Sequence, residues 1–178
     1  MRLGRAGIAA LLVVAAIGLM DTQSGASVTS AKITTRGSDS KINGHHPFPS
    51  VRFSPRHSTV RSGGTITLTF ANTGTDPHTL SIVNASELPK SVADINTCGA
   101  PGTVCDQIFA AVAPSIVNPA AAQFVNVSGS PGLDGHFDTI YLPPGTNLTV
   151  PVTAGPGTTL HYLCAIHAWM QGDIKVLG

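Results

Sequence analysis

Short runs in which polar and apolar residues alternate, each closed by Gly, Pro, Asn or Asp, constrain this chain more than any other feature. Thr65-Ile66-Thr67-Leu68-Thr69-Phe70 has period two and is rich in β-branched residues, so it reads as a half-buried strand. The turn-rich stretch Asn72-Thr73-Gly74-Thr75-Asp76-Pro77 follows, and then a second alternating run from His78 to Val83. Toward the C-terminus, residues 137–142, 147–152, 159–164 and 173–177 read as further strands, punctuated by Pro143-Pro144-Gly145 and Gly155-Pro156-Gly157. Pro151 lacks a ladder donor and so belongs at a sheet edge or strand end. With residues 123–127 added, about seven or eight short strands argue for an antiparallel sandwich or barrel. In the run 159–164, Leu160, Tyr162 and Cys164 share one face and His161 takes the other.

Elsewhere the pattern breaks. Only 11% of the residues are charged against 42% hydrophobic, yet there is a single long apolar run, Ala6 to Met20, behind Arg2 and Arg5. Its length fits a signal-peptide core and falls short of the roughly 20 residues a membrane span needs. Ser24-Gly25-Ala26 resembles a small-residue cleavage site, so residues 1–26 are expected to form a signal peptide, with an uncleaved anchor as the alternative. An exported chain, periplasmic or extracellular, follows, with no stable membrane span after cleavage and a monomeric state. Residues 27–50 are rich in Ser, Thr, Gly and Lys and read as a flexible tail. His45-His46 belongs to that tail's composition. Residues 51–178 are long enough for one domain with its own core. Within it, residues 84–135 look like an irregular insertion, with a helical turn near 91–96 and a short helix at 106–113 stopped by Pro114.

Charge divides along the chain. Residues 27–61 hold six Lys/Arg against one acid, while residues 62–178 hold two Lys against seven acids. Such asymmetry can steer a charged partner, although a solvated basic tail is the simpler and preferred account. No basic cluster is interleaved with aromatics, which argues against a nucleic-acid partner.

The three cysteines divide into a pair and a remainder. Cys98 and Cys105 lie seven apart in a Gly/Pro-containing stretch and suit a disulfide in an exported protein. Cys164 stands alone, and a lone thiolate outside the cell oxidises unless something holds it. Its neighbours suggest what: Cys164, His167 and Met170 form C-x2-H-x2-M between two strands. Thiolate, imidazole and thioether together suit copper, and two imidazoles with one thiolate and a weak axial Met make the blue-copper arrangement. The second imidazole is best supplied by His78, at a strand start just after Pro77, whose fixed φ restricts the approach. His57, His136 and His161 have no companions at ligand spacing. Sequons at Asn84, Asn126 and Asn147 matter only in a glycosylating host.

Residues 62–83 (SGGTITLTFANTGTDPHTLSIV) and 158–176 (TTLHYLCAIHAWMQGDIKV) resemble the two copper-binding motifs of small blue-copper proteins, the cupredoxin family. The ligand-loop spacing is similar to that of amicyanin, whereas plastocyanin and azurin place more residues between these ligands. The resemblance covers roughly residues 51–84 and 136–178. It implies a Greek-key antiparallel β-sandwich, all-β apart from the partly helical insertion. It implies one copper ion, Cu(I)/Cu(II), on the ring nitrogens of His78 and His167, the thiolate of Cys164 and an axial Met170. It also implies a one-electron carrier between redox proteins, with the backbone N–H of Thr79 donating to the Cys164 sulfur and so tuning the potential. Thr79 departs from the Asn found there in amicyanin and plastocyanin, and the long insertion has no counterpart in amicyanin. Ile166, Ala168 and Trp169 suggest an apolar surface with electrons leaving through an exposed His167 edge. Two other readings stay open. One is a copper carrier or delivery protein; the other is an accessory domain of a copper-containing oxidoreductase. No H-x-H pairs suggest a trinuclear cluster, so the chain is not read as an enzyme in itself.

Overall fold

A computed structural model describes residues 29–38, 48–127 and 129–178. The expected signal peptide (1–26) and His45-His46 lie outside these residues. Among the described residues, no helix is long and apolar enough to cross a membrane.

Ten strands form two sheets. In chain order they are β1 (Ser30–Arg36), β2 (Arg52–Ser54), β3 (His57–Arg61), β4 (Thr65–Phe70), β5 (His78–Val83), β6 (Gln123–Val125), β7 (Thr139–Leu142), β8 (Asn147–Pro151), β9 (Thr159–Leu163) and β10 (Gln171–Leu177). One sheet has the order β2-β1-β4-β8 and the other β3-β10-β9-β5-β7-β6. Pro151 accordingly lies on an edge strand, where its missing N–H costs nothing. The apolar faces meet in one core that includes Ile33, Phe53, Leu68, Leu80, Tyr162 and Ile174. Phe53 and Tyr162 pack edge to face there, with ring centroids 5.2 Å apart.

Most pairings are antiparallel, but β1 runs parallel to β4 and β3 parallel to β10. The first of these corrects the sequence reading. Residues 27–50 were expected to be a flexible tail, yet β1 lies within them. Ser30 to Thr35 pair in register with Thr65 to Phe70, and Ile33 is fully buried. Composition misleads here because Thr counts as polar in a linker and as a β-branched strand former in a sheet.

The described residues of the insertion hold regular structure. It carries α1 (Val92–Thr97), α2 (Val104–Val112) and a single 3-10 turn before β6. Ser91 and Asp94 cap α1 reciprocally: the Ser91 hydroxyl accepts from the Asp94 N–H and the Asp94 carboxylate from the Ser91 N–H. Cys98 and Cys105 are joined by a disulfide that ties the end of α1 to the start of α2. Cys98, Cys105, Ile108 and Val112 then pack on Val83, Leu163, Ala165 and Ala168 as a second apolar cluster. This explains why all six residues of β5 are buried although its sequence alternates. One face meets the main core and the insertion covers the other.

Candidate metal centre

The proposed ligands come from two neighbouring strands. His78 begins β5, and Cys164 directly follows β9, which pairs with β5. That pairing brings together residues 86 positions apart in sequence. The loop from Cys164 to Met170 is closed at its base by the Cys164 N–H donating to the Met170 carbonyl at 2.9 Å. The Met170 N–H donates to the His167 carbonyl at 2.8 Å.

His78, Cys164 and His167 converge, with one ligand atom from each lying within 4.8 Å of the other two and all three residues buried. His78 Nδ1 is 3.1 Å from His167 Nδ1, which is 3.9 Å from Cys164 Sγ. Met170 is 1% exposed and belongs to the same core cluster as Cys164. The backbone N–H of Thr79 donates to Cys164 Sγ at 3.3 Å, where the resemblance implies it. The Thr79 hydroxyl oxygen accepts from the Ala165 N–H at 2.8 Å and so ties the two ligand segments together. Ser81 and Thr139 extend this into a buried row of hydroxyls, with Thr139 Oγ1 2.9 Å from Ser81 Oγ and Ser81 Oγ 3.2 Å from Thr79 Oγ1.

Three further residues escaped the sequence reading. Asn72 Oδ1 lies 3.0 Å from His78 Nε2 and also accepts from the Thr35 hydroxyl at 2.6 Å. A carboxamide oxygen can only accept, so His78 carries its proton on Nε2 and turns the Nδ1 lone pair toward the centre. Asp76 Oδ2 lies 3.7 Å from His167 Nε2 on the solvent side. Asn72 and Asp76 read only as turn residues in the sequence, and Thr35 as part of a tail. Phe70 stacks on the His78 ring at 5.2 Å.

Burial keeps the His78 imidazole unprotonated, with its lone pair available to a metal. Burial, then the neighbouring His167, lower the His78 pKa to about 3. Burial pushes the Cys164 thiol up, opposed chiefly by the Thr79 N–H. Two imidazole nitrogens 3.1 Å apart beside a buried sulfur have little water to solvate them, and a soft cation satisfies all three. One expectation fails. The His167 ring edge is not exposed: the residue is 5% accessible, with Ala165 and Ala168 buried beside it under the insertion.

The sequence matches no family model and no curated relative. Solved structures do resemble the fold. Reduced auracyanin from Roseiflexus castenholzii is 19% identical with a TM-score of 0.44, covering 85% of this chain and 99% of that one. All the similar structures named here are cupredoxins. A purple cupredoxin from Nitrosopumilus maritimus is 14% identical with a TM-score of 0.41, covering 82% and 98%. Oxidised plastocyanin from Dryopteris crassirhizoma is 20% identical with a TM-score of 0.33, covering 82% and 99%.

Proposed function

We propose that this protein is a type 1 (blue) copper protein that carries single electrons between exported redox partners. The convergence of His78, Cys164 and His167 in a buried pocket carries this reading. His78 and His167 would bind through Nδ1 and Cys164 through its thiolate, with the thioether of Met170 as a fourth, weaker donor. Bound copper supplies a one-electron couple, Cu(I)/Cu(II). The chain's own residues hold the ligand geometry fixed. Asn72 and Thr35 orient the His78 ring, and Thr79 donates to the sulfur while bonding the loop at Ala165. The Cys98–Cys105 disulfide supports an oxidising, exported location.

An optical and electron-paramagnetic spectrum taken after adding cupric ion to the purified protein tests the reading. An intense visible charge-transfer band is expected. A colourless product with an ordinary tetragonal signal would remove the assignment. Rapid loss of both copper states to a chelator would favour delivery instead.

Two outcomes follow for the same centre. Met170→Ala is expected to keep copper and colour while shifting the reduction potential, because the axial ligand is weak. Acid should destabilise the metal-free protein between about pH 6.5 and 3. There His78 is protonated in the unfolded chain and neutral in the folded one, so the unfolded state binds more protons and stability falls as pH falls. The slope is at most about 1.4 kcal/mol per pH unit. Copper on the same nitrogen keeps it proton-free in the folded state while the unfolded chain still takes up the proton, so urea unfolding of the loaded protein should show at least as steep a loss of stability in acid.

A further inference from the structure

Most of the positive charge lies in residues 27–61, and neither the core nor the metal centre uses it. Arg36, Arg52 and Arg56 are all exposed. Arg36 and Arg52 are direct cross-strand partners on β1 and β2, so their side chains leave the same face. Like charges in that relation cost stability. Arg52 donates to the Ser50 carbonyl and Arg56 to the Gln171 carbonyl, which holds the side chains without neutralising them. Among the described residues, none of the three pairs with a carboxylate. A local conflict left standing at a surface points to a partner that relieves it.

Arg52 and Arg56 line a groove of about 350 Å³ together with Phe48 and Trp169. Trp169 meets the His167 ring edge to face at 5.1 Å, and Phe48 stacks on Trp169 at 5.0 Å with the planes 10° apart. The Trp169 indole is anchored by its N–H to the Val51 carbonyl at 3.1 Å. An aromatic path therefore runs from a ligand of the centre to a basic groove. His167 itself is buried.

We propose that electrons pass through the Trp169–Phe48 groove, and that the redox partner docks there with an acidic face against Arg36, Arg52 and Arg56. The proposal rests on the copper reading. One electron leaves the cuprous centre for an oxidised partner, whose acceptor is reduced by one; no bond forms or breaks and no proton moves.

Two probes of opposite charge test it on the reduced, copper-loaded protein: ferricyanide as anionic oxidant and tris(phenanthroline)cobalt(III) as cationic oxidant. At low salt, the triple variant Arg36→Glu, Arg52→Glu, Arg56→Glu should slow ferricyanide by about tenfold or more and accelerate the cobalt complex. Both differences should shrink in high salt. Arg36→Glu alone replaces a like pair with an opposite pair. It should raise the unfolding midpoint while lowering the ferricyanide rate several-fold, a combination that a purely structural role does not give. A ferricyanide rate unchanged in the triple variant at low salt overturns the proposal. A nuclear magnetic resonance titration of metal-free protein with poly-glutamate reads docking without copper. Amide shifts should centre on Phe48, Arg52 and Trp169 and vanish in the triple variant, and shifts centred elsewhere would overturn the docking face. If no blue centre forms in the wild type, the functional reading fails on its own while this titration still decides the surface.

Discussion

Replacing Cys164 with serine is expected to abolish the visible charge-transfer band and to lower copper affinity by orders of magnitude. Serine keeps the size of the side chain and removes the soft donor, so the change isolates the sulfur. The Thr79 N–H would still point into the site, now toward a neutral hydroxyl instead of a thiolate. Two imidazoles remain, and they suit cupric ion in a tetragonal environment without colour. The effect should also appear in stability. A ligand present at a thousand times its dissociation constant stabilises the native state by about 4 kcal/mol. Wild-type protein should therefore unfold well above its metal-free midpoint when copper is added, and Cys164→Ser should show little of that gain. Optical titration and thermal unfolding with and without copper make the comparison. A variant that stayed blue would mean that Cys164 is not a ligand.

Asp138→Ala is expected to cost about 3–5 kcal/mol, an effect unusual outside an apolar core. The residue is fully buried. Its Oδ1 accepts from the Val127 N–H at 2.9 Å, and its Oδ2 accepts from the Asp134 N–H at 3.1 Å and the Gly135 N–H at 2.9 Å. Alanine leaves three backbone donors without these bonds. Those donors close the insertion onto the sheet, where the Asp138 carbonyl also accepts from the Ile82 N–H at 2.9 Å. Loosening this closure should weaken the apolar cluster over Ala165 and Ala168. A chelator should then remove copper faster from the variant than from the wild type. Urea unfolding and chelator kinetics read the two effects, and wild-type stability in the variant would contradict the role given to the carboxylate.

The insertion also marks where sequence reasoning lost its grip. β5 alternates like a half-buried strand, yet every one of its residues is buried. Nothing local to the strand could reveal this, because the covering residues lie on helices that follow it in the chain. His167, which the loop sequence alone presents as an exposed edge, is buried as well, with the rings of His78 and Trp169 against it and Asp76 near its Nε2. Thr35 and Asn72 are 37 residues apart and meet only because β1 lies parallel beside β4, a pairing that a Ser/Thr-rich segment does not advertise.

Local chemistry determined a good deal by itself. Period-two runs with turn residues between them specified strands, because alternate side chains on a pleated backbone face opposite ways. An unpaired cysteine beside His and Met at fixed spacing specified a soft-metal donor set, because donor type and number are properties of the residues. The tertiary structure alone decided which hydrogen bonds orient the second imidazole, and that Arg52 and Arg56 line one groove with Trp169. Those are contacts between distant segments, and they depend on strand pairing and layer packing that no short window of sequence contains.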